Sequence, residues 1–114
     1  MSPAGMGTEE KDILVVMVTA ANHEEAARIS EQVVRSRQAA CATIIPMVHS
    51  TYRWEGKLVS DQESMVLLKT TVANFQALQE TIQKLHSYKV PEIIAIPVAK
   101  GLPQYLEWVR RETA

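Results

Sequence analysis

The chain has 114 residues, 46% of them hydrophobic, with 12 Lys and Arg against 13 Asp and Glu for a formal net charge of -1. That length suits one domain around one core, and the balanced charge leaves no electrostatic footprint for nucleic acid or an anionic membrane. No apolar run reaches the ~18 residues of a membrane-spanning helix, and the lone cysteine, Cys41, excludes an intrachain disulfide and suits a reducing cytoplasm.

Residues 1–11 are small and polar, lack the apolar centre of a secretory signal, and read as a frayed tail ahead of a single domain over 12–114. Residues 12–19 (DILVVMVT) form a Val-rich apolar run of strand length, as expected of a buried central strand. Asn22 then opens a helix, with Glu25 three residues on in a capping-box-like pattern. Ala26, Ile29 and Val33 share its apolar face, and Arg37 or Gln38 ends it.

Two long extended arms follow, residues 39–54 and 57–71, joined at Glu55-Gly56, where glycine supplies the positive φ of a hairpin turn. An arm of ~15 residues spans roughly 50 Å, whereas a compact chain of this size is roughly 35 Å across. The hairpin must therefore bend or project, and its open edges call for a partner. Pro46 cannot donate a ladder hydrogen bond and marks an edge or a bulge. Pairing Trp54 with Lys57 sets Lys69 opposite Ala42, Ile44 and Leu67 on one face of the sheet, and Ile45 and Leu68 on the other. Apolar residues on both faces are a second argument for an oligomer.

Asn74 is expected to cap a second helix whose Phe75, Leu78, Ile82 and Leu85 form an apolar stripe. The segment from His86 to Pro91 leads to a last strand over 92–98, and Gly101 and Pro103 open a short helix bearing Leu102, Leu106 and Val109. The order strand, helix, strand, strand, helix, strand predicts an α+β, ferredoxin-like βαββαβ sandwich with an extra C-terminal helix and a long β2–β3 hairpin.

The residues able to carry chemistry lie on the hairpin and around His86. Glu63 and Glu92 offer oxygen ligands, Lys69 a cation within an apolar run, and Tyr52, Trp54 and Tyr88 the walls of a ligand site or the anchors of an interface. Cys41 and His86 are the candidate metal ligands. No P-loop, GxGxxG, GxSxG or HExxH is present, and Cys41 has no histidine near it in sequence.

Several strings also resemble one family: AACATIIP, then S-x-Y-x-W-E-G-K from Ser50 to Lys57, E-S-M-V-L-L-K-T from Glu63 to Thr70, H-S-Y-K-V-P-E-I from His86 to Ile93, and Y-L-x-W from Tyr105 to Trp108. In this order and spacing, over residues 13–110, the chain resembles the CutA family. The resemblance implies a ferredoxin-like fold packed as a homotrimer similar to the PII signalling proteins, with hairpins extending sheets across subunits. It also implies divalent cation tolerance with copper binding. Family members associated with copper carry a cysteine near the end of the first strand and a His-His pair closing the second helix. Here Val18 and Leu85 stand at two of those places and only His86 remains, while Cys41 matches a family position.

The leading expectation is a cytoplasmic homotrimer with a ligand cleft between subunits, able to hold a divalent cation weakly, copper or another, or a small molecule, with no obligatory cofactor and possible PII-like signalling. An enzyme acting on small phosphate or acyl compounds and a structural trimeric scaffold are the alternatives.

Overall fold

The computed structural model describes residues 7–114. The first apolar run forms strand β1 (Ile13–Ala20), followed by helix α1 (His23–Arg35), the hairpin strands β2 (Cys41–Trp54) and β3 (Lys57–Thr71), helix α2 (Val72–Leu85), strand β4 (Ile93–Pro97) and helix α3 (Pro103–Glu112). All the strand pairs are antiparallel, in the order β2-β3-β1-β4. This is the ferredoxin-like α+β arrangement that the element order predicts, with α3 added.

Local chemistry accounts for the helix ends. Asn22 accepts a hydrogen bond from the Glu25 amide at 2.8 Å, and the Glu25 carboxylate reaches back to the Ala21 amide at 2.9 Å. The first bond satisfies an orphaned first-turn donor, and the second ties the residue ahead of the cap to the helix. Helix α2 begins two residues before the expected Asn74 cap. Thr71 holds the N-cap place, and the first-turn amides of Val72 and Ala73 donate to the carbonyls of Asp12 and Glu10. Asn74 instead ties Thr71 to the Thr113 carbonyl.

Those contacts revise the expected tail. Residues 1–6 lie outside the described residues, but 9–12 form a hydrogen-bonded turn clamped between the start of α2 and Arg110 of α3. Backbone carbonyls in this turn do the capping that a side chain was expected to do.

One face of the sheet packs under α1 and α2. Leu14, Val16, Val18 and Ala20 of β1 and Val66 and Leu68 of β3 meet Ala26, Ile29 and Val33 of α1 and Leu78 and Ile82 of α2. The other face carries Val15, Met17, Ile45, Met65, Leu67, Ile94 and Ile96, and α3 covers it only around Ile13 and Ala40. Ile94 and Ile96 are each about half exposed.

The hairpin differs from the simple expectation at one point. Its turn is as predicted, with Trp54 opposite Lys57, and both Glu55 and Gly56 have positive φ, the signature of a type I′ turn. Between Ile45 and Val48, however, β2 carries one extra residue, with Met47 at φ 59°. This is a β-bulge at Pro46, and it moves the register below it by one. Lys69 pairs with Cys41, not Ala42. Because neighbouring side chains alternate faces, Ile44 now shares the helix face with Leu68, and Ile45 shares the open face with Leu67. The apolar content of both faces stands; the assignment of residues to faces is corrected. The bulged arm extends the molecule to 43 Å along its longest axis, with a radius of gyration of 14.8 Å.

Candidate functional site

The fold divides the expected site residues between two clusters, and buries one of them for structural use. At the base of the hairpin, Lys69 and Cys41 are opposite one another. The Lys69 ammonium donates to Thr43 Oγ1 at 3.1 Å and lies 4.0 Å from the Cys41 sulfur. Tyr105 of α3 closes this group. Burial raises its hydroxyl pKa, and the neighbouring Cys41 raises it further. Tyr105 was visible in the sequence as part of Y-L-x-W, but its role beside Cys41 depends on α3 folding back over the sheet.

The second cluster gathers where the arm leaves the sheet. Tyr88 donates its hydroxyl to Glu63 Oε2 at 2.8 Å, and Tyr52 donates to Asp61. Strand alternation places Asp61 and Glu63 on one face of β3, and Tyr52, opposite Val59, reaches Asp61 diagonally. Glu63 is only 7% exposed. The Tyr88 pKa is pushed well up by burial, then by the hydrogen bond and negative charge of Glu63. Tyr52 is raised by its hydrogen bond to Asp61. Both phenols therefore stay protonated donors across the physiological range. Asp61 was missed as a site residue, although its i+2 spacing from Glu63 in a strand was the available signal.

Lys69 and Glu63 are six residues apart on β3, roughly 20 Å at ~3.3 Å per residue, so the two do not pair within one chain. Glu92 is exposed just ahead of β4 and has no hydrogen bond or ion pair among the described residues. Trp54 stands 61% exposed beside the hairpin turn.

His86 does not present a free imidazole. Its ring is fully buried, with Nδ1 accepting the Tyr88 amide at 3.0 Å and Nε2 at 2.8 Å from the Thr19 carbonyl. An amide can only donate, so Nδ1 is the unprotonated nitrogen and Nε2–H donates to Thr19. Both nitrogens are thus occupied by backbone, which corrects the expectation of His86 as a metal ligand within one chain. Cys41 pairs at Lys69, four residues along β3 from Met65, the partner of the Thr19 to which His86 is tied. That separation is roughly 13 Å, far beyond a shared first coordination sphere. Val18 is fully buried in the core and Leu85 packs against it. Among the described residues no three His, Cys, Asp or Glu side chains of one chain come together as a metal site.

A residue absent from the sequence expectations as a functional group, Glu25, anchors the loop beside this cluster. Its carboxylate accepts the Ala21 and Ser87 amides, at 2.9 and 2.8 Å, and lies 3.7 Å from His86 Nδ1. Burial pushes its pKa up, but the hydrogen bonds from Ala21 and Ser87 outweigh that and hold it below the ordinary value.

Chemically, the base cluster offers an ammonium, a thiol and two hydroxyls. The arm cluster offers two carboxylates and two phenol oxygens, a hard, oxygen-only set. No described helix is long and apolar enough to cross a membrane.

Comparison with known proteins agrees with the fold. A family model described as CutA1 divalent ion tolerance protein matches residues 14–112. The divalent-cation tolerance protein CutA of Thermus thermophilus is 46% identical over 99 residues, covering 87% of this chain and 96% of its own. The Arabidopsis thaliana protein CutA, chloroplastic, is 39% identical over 100 residues, covering 88% of this chain but 55% of its own. The crystal structure of CutA from Xylella fastidiosa superposes with a TM-score of 0.89 at 39% identity, covering 90% of this chain and 99% of the other.

Proposed function

Because the chain belongs to the CutA1 family of divalent ion tolerance proteins, we propose that it acts as a homotrimer that holds a hard divalent cation weakly at the Tyr52, Asp61, Glu63 and Tyr88 cluster, next to the subunit interface, and signals cation status in the manner of PII proteins. The observation that carries this reading is the convergence of two carboxylates, each already oriented by a phenol, at the point where the hairpin arm departs from the sheet. Carboxylate and phenol oxygens suit Mg²⁺ or Mn²⁺ better than copper, which favours nitrogen and sulfur. His86 is occupied and Cys41 is distant, so among the described residues of one chain copper finds no paired histidine and cysteine ligands.

Self-association is supported by the open sheet face of Ile45, Met65, Leu67, Ile94 and Ile96, and by the exposed Trp54 and Leu58 on the arm. Apolar surface of that extent is costly to leave in water. The free thiol of Cys41 suits a reducing cytoplasm.

The test is calorimetric titration with Mn²⁺, Mg²⁺, Zn²⁺ and Cu²⁺ alongside light scattering. The reading expects a mass three times the 12.7 kDa of one chain and Mn²⁺ binding that Glu63→Gln weakens at least tenfold. A monomer, or no binding of any of the four ions, overturns it.

A further inference from the structure

The arm cluster depends on a loop that three consecutive residues pin to three different elements. His86 is tied to the end of β1 through the Thr19 carbonyl. Ser87 donates its amide to Glu25 in the first turn of α1, at 2.8 Å. Tyr88 donates its amide to His86 Nδ1 and its hydroxyl to Glu63 on β3. Each of β1, α1 and β3 meets the loop through one of these hydrogen bonds, and Glu25 supplies that of α1. It is 3% exposed and receives two amides with a different oxygen each, Oε2 from Ala21 and Oε1 from Ser87. A capping box needs only one of those bonds. The second lets the helix start reach across to the α2–β4 connection, 62 residues away in sequence.

We propose that Glu25 is a positioning residue for the cation cluster: its carboxylate fixes the His86–Ser87–Tyr88 turn so that the Tyr88 hydroxyl meets Glu63. This rests on the reading of Tyr52, Asp61, Glu63 and Tyr88 as a cation site. Two acceptors are required at Glu25, because both of its partners are amide donors. A glutamine has one acceptor oxygen and sets its NH₂ against the other amide, so one anchor must open. Losing the Ser87 bond frees the turn that aims Tyr88, and Glu63, nearly buried, loses the phenol that orients it. Glu25 touches no ligand; it acts through Ser87 and Tyr88.

The test uses the full chain with Glu25→Gln, Tyr88→Phe and the double variant, read by amide hydrogen exchange and by Mn²⁺ titration. Glu25→Gln is expected to speed exchange at Ala21, Ser87 and Tyr88 at least tenfold while the amides of Val16 and Val66 in the core hold. Mn²⁺ affinity is expected to fall several-fold in each single variant, and no further in the double variant, because both act through one contact. Should the glutamine variant not fold, Glu25→Asp withdraws the same carboxylate by one methylene and gives the same local pattern at smaller amplitude. Exchange that rises evenly across the chain, or losses in affinity that add fully in the double variant, overturns the proposal. If the wild type binds no Mn²⁺, the cation reading fails by itself, and the exchange pattern alone decides whether Glu25 fixes the turn.

Discussion

The base and the arm of the hairpin are made from the same two strands, yet they meet different surroundings. Below the bulge, Val66, Leu68 and Thr70 are fully buried under the helices, and the opposite face is half-buried. Above it, Thr51, Arg53, Trp54, Lys57, Leu58 and Ser60 are all exposed, and intermediate burial is confined to Val48, Ser50, Val59 and Asp61. The base is held by its own core. The arm is held by backbone pairing and by contacts at its root, Tyr52 to Asp61 and Tyr88 to Glu63. In this fold the sealed core lies under the base, while the paired carboxylates and phenols gather at the root of the arm.

The sharpest way to break that contrast is to truncate one leucine in each region. Leu68→Ala is expected to cost about 2–5 kcal/mol of unfolding free energy, since it leaves a cavity in a sealed core. Leu58→Ala, 74% exposed in the chain, is expected to change it by no more than about 0.5 kcal/mol at low protein concentration and to weaken self-association instead. Denaturant titration at two protein concentrations separates the outcomes. A large, concentration-independent loss in Leu58→Ala would erase the distinction.

A smaller effect tests the root of the arm. Tyr88→Phe removes the hydroxyl that meets a nearly buried carboxylate, and is expected to cost about 1–3 kcal/mol. The pH dependence gives its direction independently. Tyr88 holds its proton more tightly when folded, so its contribution is fully present below the ordinary phenol value of 10.0 and fades as pH rises through the higher folded value. The alkaline limb of a stability–pH curve should flatten in Tyr88→Phe. Glu25 has the opposite sign. Its folded pKa lies below the ordinary 4.5, so its contribution is present above that value and is lost as pH falls through the folded one. Glu25→Gln should flatten the acid limb.

The smallest effect concerns the turn. Glu55 holds φ at 49°, where asparagine is better tolerated than glutamate. Glu55→Asn is expected to gain about 0.5 kcal/mol and to leave both clusters unchanged, as thermal unfolding would show. A loss of stability would mean that the Glu55 side chain makes a contact the isolated chain does not.

Much of this was legible in the sequence because the signals were local. Alternation and turn chemistry located the hairpin and its Glu55-Gly56 turn, helical spacing located Leu78 and Ile82 in the core, and Asn22 with Glu25 marked the start of α1. Several matching strings identified the family. What escaped was set by one bulge and by contacts distant in sequence. Pro46 announced an irregularity, but not that Met47 would take the extra place and move Lys69 opposite Cys41. His86 read as a possible ligand because an imidazole's partners, here the Thr19 carbonyl and the Tyr88 amide, are invisible until the chain is folded. Glu25 read only as a capping carboxylate, and Asp61 was not singled out, for the same reason. Glu63, expected to offer an oxygen ligand, accepts the Tyr88 hydroxyl, a contact between residues 25 apart in sequence.

The most direct test of the account is a Mn²⁺ titration of the wild type beside Glu63→Gln on the arm and Cys41→Ser at the base. The account predicts that Glu63→Gln loses at least tenfold in affinity while Cys41→Ser binds as the wild type does. Wild-type binding in Glu63→Gln together with loss in Cys41→Ser would contradict it and move the cation site to the base of the hairpin.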